Sequence, residues 1–299
     1  MKPIKLVSFI LLIVANVGCQ NTVQEKAQNS ALQEQTKVSS MPKVSVQLYS
    51  VRDSLKKDFI GTLKEIASFG FEGVEFAGVF GPYENDPQGL KKLLDELGLK
   101  VSGAHVSFKH FTEEKFNRTV EFYRALEAPM LIVPWDDRSI DPDKIDEFAK
   151  DLTELSKKLS AYGMKTGYHN HDDEFAEFKD STYWDYLARS TPSDVVLQLD
   201  VGWAIYAGKD PVSYVKRYPG RTLTTHYKAK LPKGASDKLP LIGQDAIDWE
   251  SLIQSNIAVG GTQWLVVEQE DYPNGLSPLE SVRVSKRGLD LILQKMKLK

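Results

Sequence analysis

The sequence predicts an α/β protein of the (β/α)8 barrel class, a single domain over residues 43–299, and three observations predict it. From Lys43 onward, short β-rich runs alternate eight times with longer stretches of helical periodicity. The gaps between them are punctuated by Gly, Pro and Asp. Several runs end in residues with ligand or acid–base chemistry, and the loops after the strands of such a barrel converge on one mouth.

Taken in order, KVSVQLYS (43–50) precedes a helix around Ile60–Phe69, and GFEGVEFAG (70–78) precedes one around Pro87–Leu97. LKVSGAHVSF (99–108) leads to Glu113–Leu126, and PMLIVPW (129–135) to the long Pro142–Tyr162. MKTGYHNH (164–171) is followed by Thr182–Arg189, and DVVLQLDVGWA (194–204) by Val212–Tyr218. RTLTTHYKAK (221–230) leads through a loop to Asp248–Gln254, and QWLVVEQE (263–270) to Leu279–Met296. Asp141-Pro142 and Asp210-Pro211 each place a capping carboxylate before a first-turn proline. Gly98 and Gly163 stand where helices should stop. An open doubly wound sheet is the competing layout, but Gln47-Leu48-Tyr49-Ser50 follows the first strand where a glycine-rich phosphate loop would be needed.

The chain has 299 residues, 41% hydrophobic and 26% charged, with a formal net charge of -3. That is ordinary globular composition and gives no reason to expect a nucleic-acid partner. One cysteine excludes a disulfide framework and a thiolate-rich metal site. Its position is informative. Lys2 and Lys5 precede the apolar run Leu6–Val17, which ends in Gly18-Cys19 and is too short to span a bilayer stably. Residues 1–19 therefore read as a signal peptide and resemble a bacterial lipoprotein signal, in which Cys19 becomes the lipidated first residue. Asn16 departs from the usual leucine or valine three residues before the cysteine, and the alternative is an ordinary cleaved signal. Residues 20–42 are polar and read as a flexible tether, since they cannot bury enough surface to offset their ordering entropy. Gln20 in place of aspartate implies the outer membrane, facing the periplasm, with the lipid anchor at Cys19 as the only membrane contact.

His105, His169 and His171, and His226 end the third, fifth and seventh runs, while Asp200 and Glu268 end the sixth and eighth. His169 and His171 are two residues apart and share one side of their strand, as do Glu268 and Glu270. Imidazole with carboxylate suits one divalent ion of manganese, iron, cobalt or zinc. Taken singly, each residue has a bland explanation: a strand histidine is usually hydrogen-bonded core, and Asp200 before Val-Gly is a common turn residue. Glu268 inside VVEQE is costly unless paired or metal-bound. Chance would scatter such residues over both ends of the barrel, and here they gather at one.

The stretches QLYSVRD, GFEGVEF, GYHNHDDEF, LDVGWA-x-YAG-x-DP, THYKAK, GQDAIDW and VVEQE carry a resemblance over about 43–299. The chain resembles the xylose isomerase-like TIM-barrel superfamily of sugar isomerases and epimerases, which also includes endonuclease IV-like enzymes. The resemblance implies one metal ion held by Glu, Asp, His and Glu from strands five to eight, which here gives Asp200, His226 and Glu268. Strand five departs from the pattern: His169 stands where the epimerases carry glutamate, with His171 two residues on. Alignment puts His169 on the metal and leaves His171 for proton transfer or substrate binding, although sequence leaves the choice between them open. The epimerases use two glutamates on opposite sides of the substrate. Here only Glu268 matches as a base, which departs from plain two-base epimerisation and leaves His171 or His169 as the candidate second acid/base.

Around this set, Lys228 lies on the side of His226 and would hold a substrate hydroxyl or stabilise an oxyanion, the alternative being a solvated lysine. Glu75 and His105 occupy comparable strand ends and are expected to bind substrate hydroxyls. Trp203, Phe76 and Tyr168 are candidates to pack on a sugar face, and Glu174 reaches the site or lies exposed on its loop.

The resemblance implies proton abstraction next to a carbonyl through a metal-stabilised enediolate, giving isomerisation or epimerisation of a sugar. The alternative is elimination of the aglycone from a glycoside whose C3 a partner sugar oxidoreductase has oxidised. An exported, tethered chain would meet glycosides more readily than cytosolic sugar phosphates. DNA repair would need further His and Asp ligands, and Trp203 stands where that branch carries histidine. The remote alternative is a sugar-binding lipoprotein without turnover.

Overall fold

The computed structural model describes residues 41–299. The signal and anchor expected over 1–19, and the tether up to residue 40, lie outside the described residues. Eight parallel strands close into a barrel: β1 (Lys43–Gln47), β2 (Gly73–Phe76), β3 (Lys100–His105), β4 (Met130–Val133), β5 (Lys165–His169), β6 (Val196–Asp200), β7 (Thr224–Lys228) and β8 (Trp264–Glu268). Each strand pairs with its sequence neighbours, and β1 closes on β8 through the register Val46↔Val267. All eight lie inside the predicted runs, which overran mainly into loop residues.

The helices that cover the sheet are α1 (Arg52–Lys57), α2 (Phe59–Ser68), α3 (Pro87–Glu96), α4 (Glu113–Ala125), α5 (Ile145–Ser160), α6 (Tyr183–Ser190), α7 (Val201–Tyr206), α8 (Pro211–Arg217), α9 (Trp249–Ser255) and α10 (Pro278–Lys295). The sixth run does not extend to Ala204. It stops at Asp200, whose side chain accepts the Trp203 N–H and starts α7 at once. Asp210 caps α8 as predicted, accepting from the Val212 and Ser213 amides with Pro211 in the first turn. Asp141 does not cap α5 directly. Its carbonyl and carboxylate close a lead-in turn over 142–144, and the helix begins at Ile145. Gly98 and Gly163 end α3 and α5 in the left-handed region, at φ +70° and +72°.

The main core lies between sheet and helices, with Leu63, Ile66, Leu94, Phe148, Leu152 and Leu289 buried there. A second cluster of Met130, Ile132, Val196, Trp264 and Val266 fills the lower part of the barrel interior. The interior columns then change character along each strand. Val196, Gln198 and Asp200 follow one another at two-residue spacing on β6, as do Trp264, Val266 and Glu268 on β8. Apolar side chains close the bottom, amides and carboxylates form a middle layer, and the predicted ligands stand at the mouth. Gly167, two residues before His169, makes the join between β5 and β6 close. A Cβ there would lie 1.9 Å from the carbonyl oxygen of Val196.

Candidate active site

Ligand atoms of His169, Asp200, His226 and Glu268 all lie within 4.8 Å of one another. They come from β5, β6, β7 and β8, and all four are buried. The structure thus brings together the four residues that sequence singled out as metal ligands, with His169 rather than His171 in the group. Two imidazoles and two carboxylates, with no sulfur, form a donor set for a divalent first-row ion.

The details fit an ion. Oδ1 of Asp200 is occupied by the Trp203 amide, while Oδ2 is buried with no hydrogen-bond partner. The ammonium of Lys228 lies 3.2 Å from that oxygen, close enough to compensate its charge but not directed to hydrogen-bond it. His169 turns its Nδ1 to Oε1 of Gln198, at 3.1 Å, which leaves Nε2 facing Oδ2 of Asp200 at 3.9 Å. His226 turns Nε2 to Oε1 of Glu75, at 2.7 Å, and Nδ1 towards Glu268 and Asp200, at 2.7 and 3.9 Å. In each histidine one ring nitrogen is fixed by the layer beneath and the other points into the group, the arrangement that orients imidazole ligands. His105, His169 and His226 also bring ligand atoms within 4.8 Å of one another. However, Nε2 of His105 is engaged by Gln198 and Glu75, at 2.7 and 3.1 Å, and that group has no carboxylate.

Glu75 is a correction to the sequence reading. Expected at a substrate-binding strand end, it is instead fully buried beneath the ligand group and is not among the residues that line the cavity. Its carboxylate accepts from Gln47, Gln198 and His226. Burial alone would raise its pKa, but His226 and His105 beside it hold it below the usual carboxylate range. Gln47 and Gln198 were missed altogether. The signal was present, because each is a polar residue inside an apolar strand, and Gln198 lies two residues before Asp200 on the same side.

Electrostatically the group is tightly balanced. Burial opposes the charged form of His226, yet Glu75 and Glu268 outweigh it and push its pKa up to about 10. Burial would raise Glu268, but Lys228 and His226 bring it well below the ordinary value. Asp200 is raised to about 6 by burial, with Lys228 pulling the other way. Lys228 is no solvated lysine. It is 2% exposed and pairs with Glu270 at 2.6 Å and Glu268 at 3.2 Å, which keeps it charged despite burial.

His171 lines the cavity, with its Nδ1 buried and unpartnered. Burial, then the charge of Lys228, push its pKa down to about 4, so it is neutral near pH 7. Glu174 is not an exposed loop carboxylate. It is buried, accepts from Tyr168, Ser139 and the His171 amide, and so fixes the loop that carries His171.

Above the ligand group opens a cavity of about 800 Å3. Glu268, Lys228, His169, His171 and His105 line it. Trp203 does not, contrary to its expected place on a sugar face. Its ring supports Lys228 and Lys230, 5.0 and 4.3 Å from their nitrogens, and stands 5.6 Å from His171. Phe76 and Tyr168 are fully buried in the core. Among the described residues, no helix is long and apolar enough to cross a membrane.

The family described as "Xylose isomerase-like TIM barrel" matches residues 63–294. An inosose dehydratase of Clostridium botulinum is 26% identical over 259 residues, covering 74% of this chain and 85% of that one. The rhizopine catabolism protein MocC of Rhizobium meliloti is 22% identical, covering 76% and 79%. Among solved structures, a sugar phosphate isomerase/epimerase from Parabacteroides distasonis superposes with TM-score 0.67 at 24% identity, covering 85% of this chain and 95% of that chain. The IolI protein with a bound zinc atom superposes with TM-score 0.64 at 16% identity, covering 85% and 98%. These superpositions establish the shared barrel. With the family match spanning most of the chain, and eight parallel strands closed around a His/Asp/His/Glu group, the protein belongs to the xylose isomerase-like TIM barrel family.

Proposed function

We propose that the protein is a metal-dependent enzyme acting on a sugar-type carbonyl compound, removing the proton next to the carbonyl and expelling a group from the carbon beyond. The four-ligand group of His169, Asp200, His226 and Glu268, with its unpartnered Asp200 oxygen, is the observation that carries the reading. A divalent ion bound there supplies Lewis acidity, which makes a proton next to a chelated carbonyl easier to remove.

Glu268 is the base, because its ionised carboxylate lines the cavity. Lys228, charged and in the same cavity wall, offers positive charge to an oxygen on which negative charge develops. His171, neutral near pH 7, offers a hydrogen bond to the substrate. Elimination needs a single base, which Glu268 supplies. The name inosose dehydratase supports the same ordering, since a dehydration is an elimination. Isomerisation or epimerisation is the second reading, supported by the presence of His171 in the same cavity as Glu268.

The expelled group is the aglycone of a glycoside carrying a carbonyl at C3, and a sugar oxidoreductase is the partner reaction that forms that carbonyl. The choice goes with a proposed export: the basic and apolar start of the chain, ending in Gly18-Cys19, fits a lipid anchor in the outer membrane facing the periplasm. The test is to incubate metal-loaded protein with keto-sugars and 3-keto-glycosides in deuterium oxide. Release of the aglycone establishes the elimination. Deuterium gain with the skeleton intact establishes isomerisation or epimerisation instead. No exchange with any of them, in protein that binds metal, refutes both.

A further inference from the structure

The ligand group occupies only one end of the cavity. The opposite wall is built by the turn after β3 and by α4, which presents Lys115, Arg118, Thr119 and Phe122 to the cavity at three- and four-residue spacing. Charge is sorted on that helix. Lys115 and Arg118 face the cavity, while the acids of the same helix, Glu113, Glu114 and Glu121, do not line it. Lys109 and His110, from the turn before the helix, extend the same wall. Glu84 is the one acid of the cavity lining outside the ligand end. Among the described residues, Lys109, Lys115 and Arg118 form no ion pair with a carboxylate, and Arg118 is steadied by Oδ1 of Asn85 at 2.8 Å.

Two exposed aromatic rings, Tyr49 and Trp135, also line the cavity. Trp135 stands edge-on to His171, with ring centroids 5.0 Å apart, so an aromatic surface adjoins the reacting end of the same cavity. The cavity, of about 800 Å3, is lined by these basic residues as well as by the ligand group. Unpaired cations on one wall and carboxylates on the floor favour a substrate whose charge is placed to match.

We propose that this wall is a second subsite, formed by Lys109, Lys115 and Arg118, for an anionic oxygen group on the substrate moiety beyond the reacting ring. The group is a carboxylate, as in a uronic acid, or a sulfate or phosphate ester. The proposal rests on the function proposed above, whose substrate has two parts, and it names the chemistry of the second.

The test measures binding rather than turnover. Metal-loaded protein is titrated with cellobiose, with the corresponding acidic disaccharide bearing a terminal uronate, and with cellobiose sulfate and phosphate, at low and high salt. Tighter binding of at least one charged disaccharide, about tenfold at low salt and weaker as salt rises, supports the subsite, and the ranking among the three identifies the anion. The double substitution Lys115→Gln with Arg118→Gln, at exposed positions, should remove that preference. Equal affinity for charged and neutral disaccharides, or no detectable binding of any, overturns the subsite. So does a preference that survives the double substitution. Neither result touches the elimination reading, which is decided by aglycone release.

Discussion

The carboxylate of Glu75 accepts a hydrogen bond from Nε2 of His226 at 2.7 Å, from a position wholly beneath the cavity. Read from sequence as a contact for substrate, Glu75 engages Nε2 of His226 and leaves Nδ1 facing Glu268 and Asp200 in the candidate ligand group. Glu75→Gln should weaken metal binding by about tenfold or more, the usual cost of losing such a partner. Titration against a competing chelator measures it. A rise in KM with metal affinity unaltered would return Glu75 to substrate contact.

Glu268 lines the cavity and is held ionised by Lys228 and His226. Glu268→Gln keeps the size of the side chain and removes its basicity, and should lower turnover by about 10²–10⁴-fold. Deuterium exchange and aglycone release, followed on the same sample, check it. Normal turnover would remove Glu268 from the role of base.

In chelator-treated protein, His226 lies between two carboxylates and its pKa is raised to about 10 from an ordinary value near 6.5. A raised folded-state pKa means the folded protein binds the proton more tightly than the unfolded chain. The stabilisation is complete below the unfolded value and is lost as pH rises through the folded one. Urea midpoints should therefore fall between about pH 7 and about pH 10. Metal must displace a proton from the same ring, so metal affinity should rise over that interval, with proton uptake by the buffer. Calorimetry in two buffers of different ionisation enthalpy reads the released proton directly.

Gly167 brings β5 against β6, where an added Cβ would meet the Val196 carbonyl. Gly167→Ala should destabilise the barrel by about 3 kcal/mol, because the obstacle is backbone and cannot rotate away. Denaturant unfolding measures the loss, and a change below about 0.5 kcal/mol would show that the two strands separate easily.

The anchor proposed at Cys19 predicts that Cys19→Ala moves the protein from the membrane fraction to the soluble periplasmic fraction. Cell fractionation with radiolabelled palmitate decides it. Unchanged membrane association without label would place the attachment elsewhere.

The barrel was legible because each strand is bounded by glycine, proline or aspartate and each helix repeats its apolar face. The four candidate ligands were legible because a polar residue at the end of an apolar strand has few uses. The remainder depends on depth. Glu75 and His105 stand at comparable strand ends, yet one is fully buried while the other lines the cavity. Strand periodicity gives the side a residue faces and not its level inside the barrel. Gln198 was overlooked because a neutral amide among valines and leucines does not announce itself as chemistry. Trp203 was misplaced because α7 begins immediately after Asp200 and turns the ring behind Lys228.

The layer of Glu75, Gln47 and Gln198 lies on strands, whereas Lys109, Lys115, Arg118 and Trp135 lie beyond the strand ends and make no hydrogen bond to it. Inserting or deleting one residue in β6 would turn Gln198 and Asp200 outward together, ending both fold and chemistry. Lengthening the segment between β3 and α4 would disturb neither. A laboratory seeking new substrates should therefore diversify that segment and leave the strands alone, since the protein already keeps its reactive end and its selective end on separate parts of the chain.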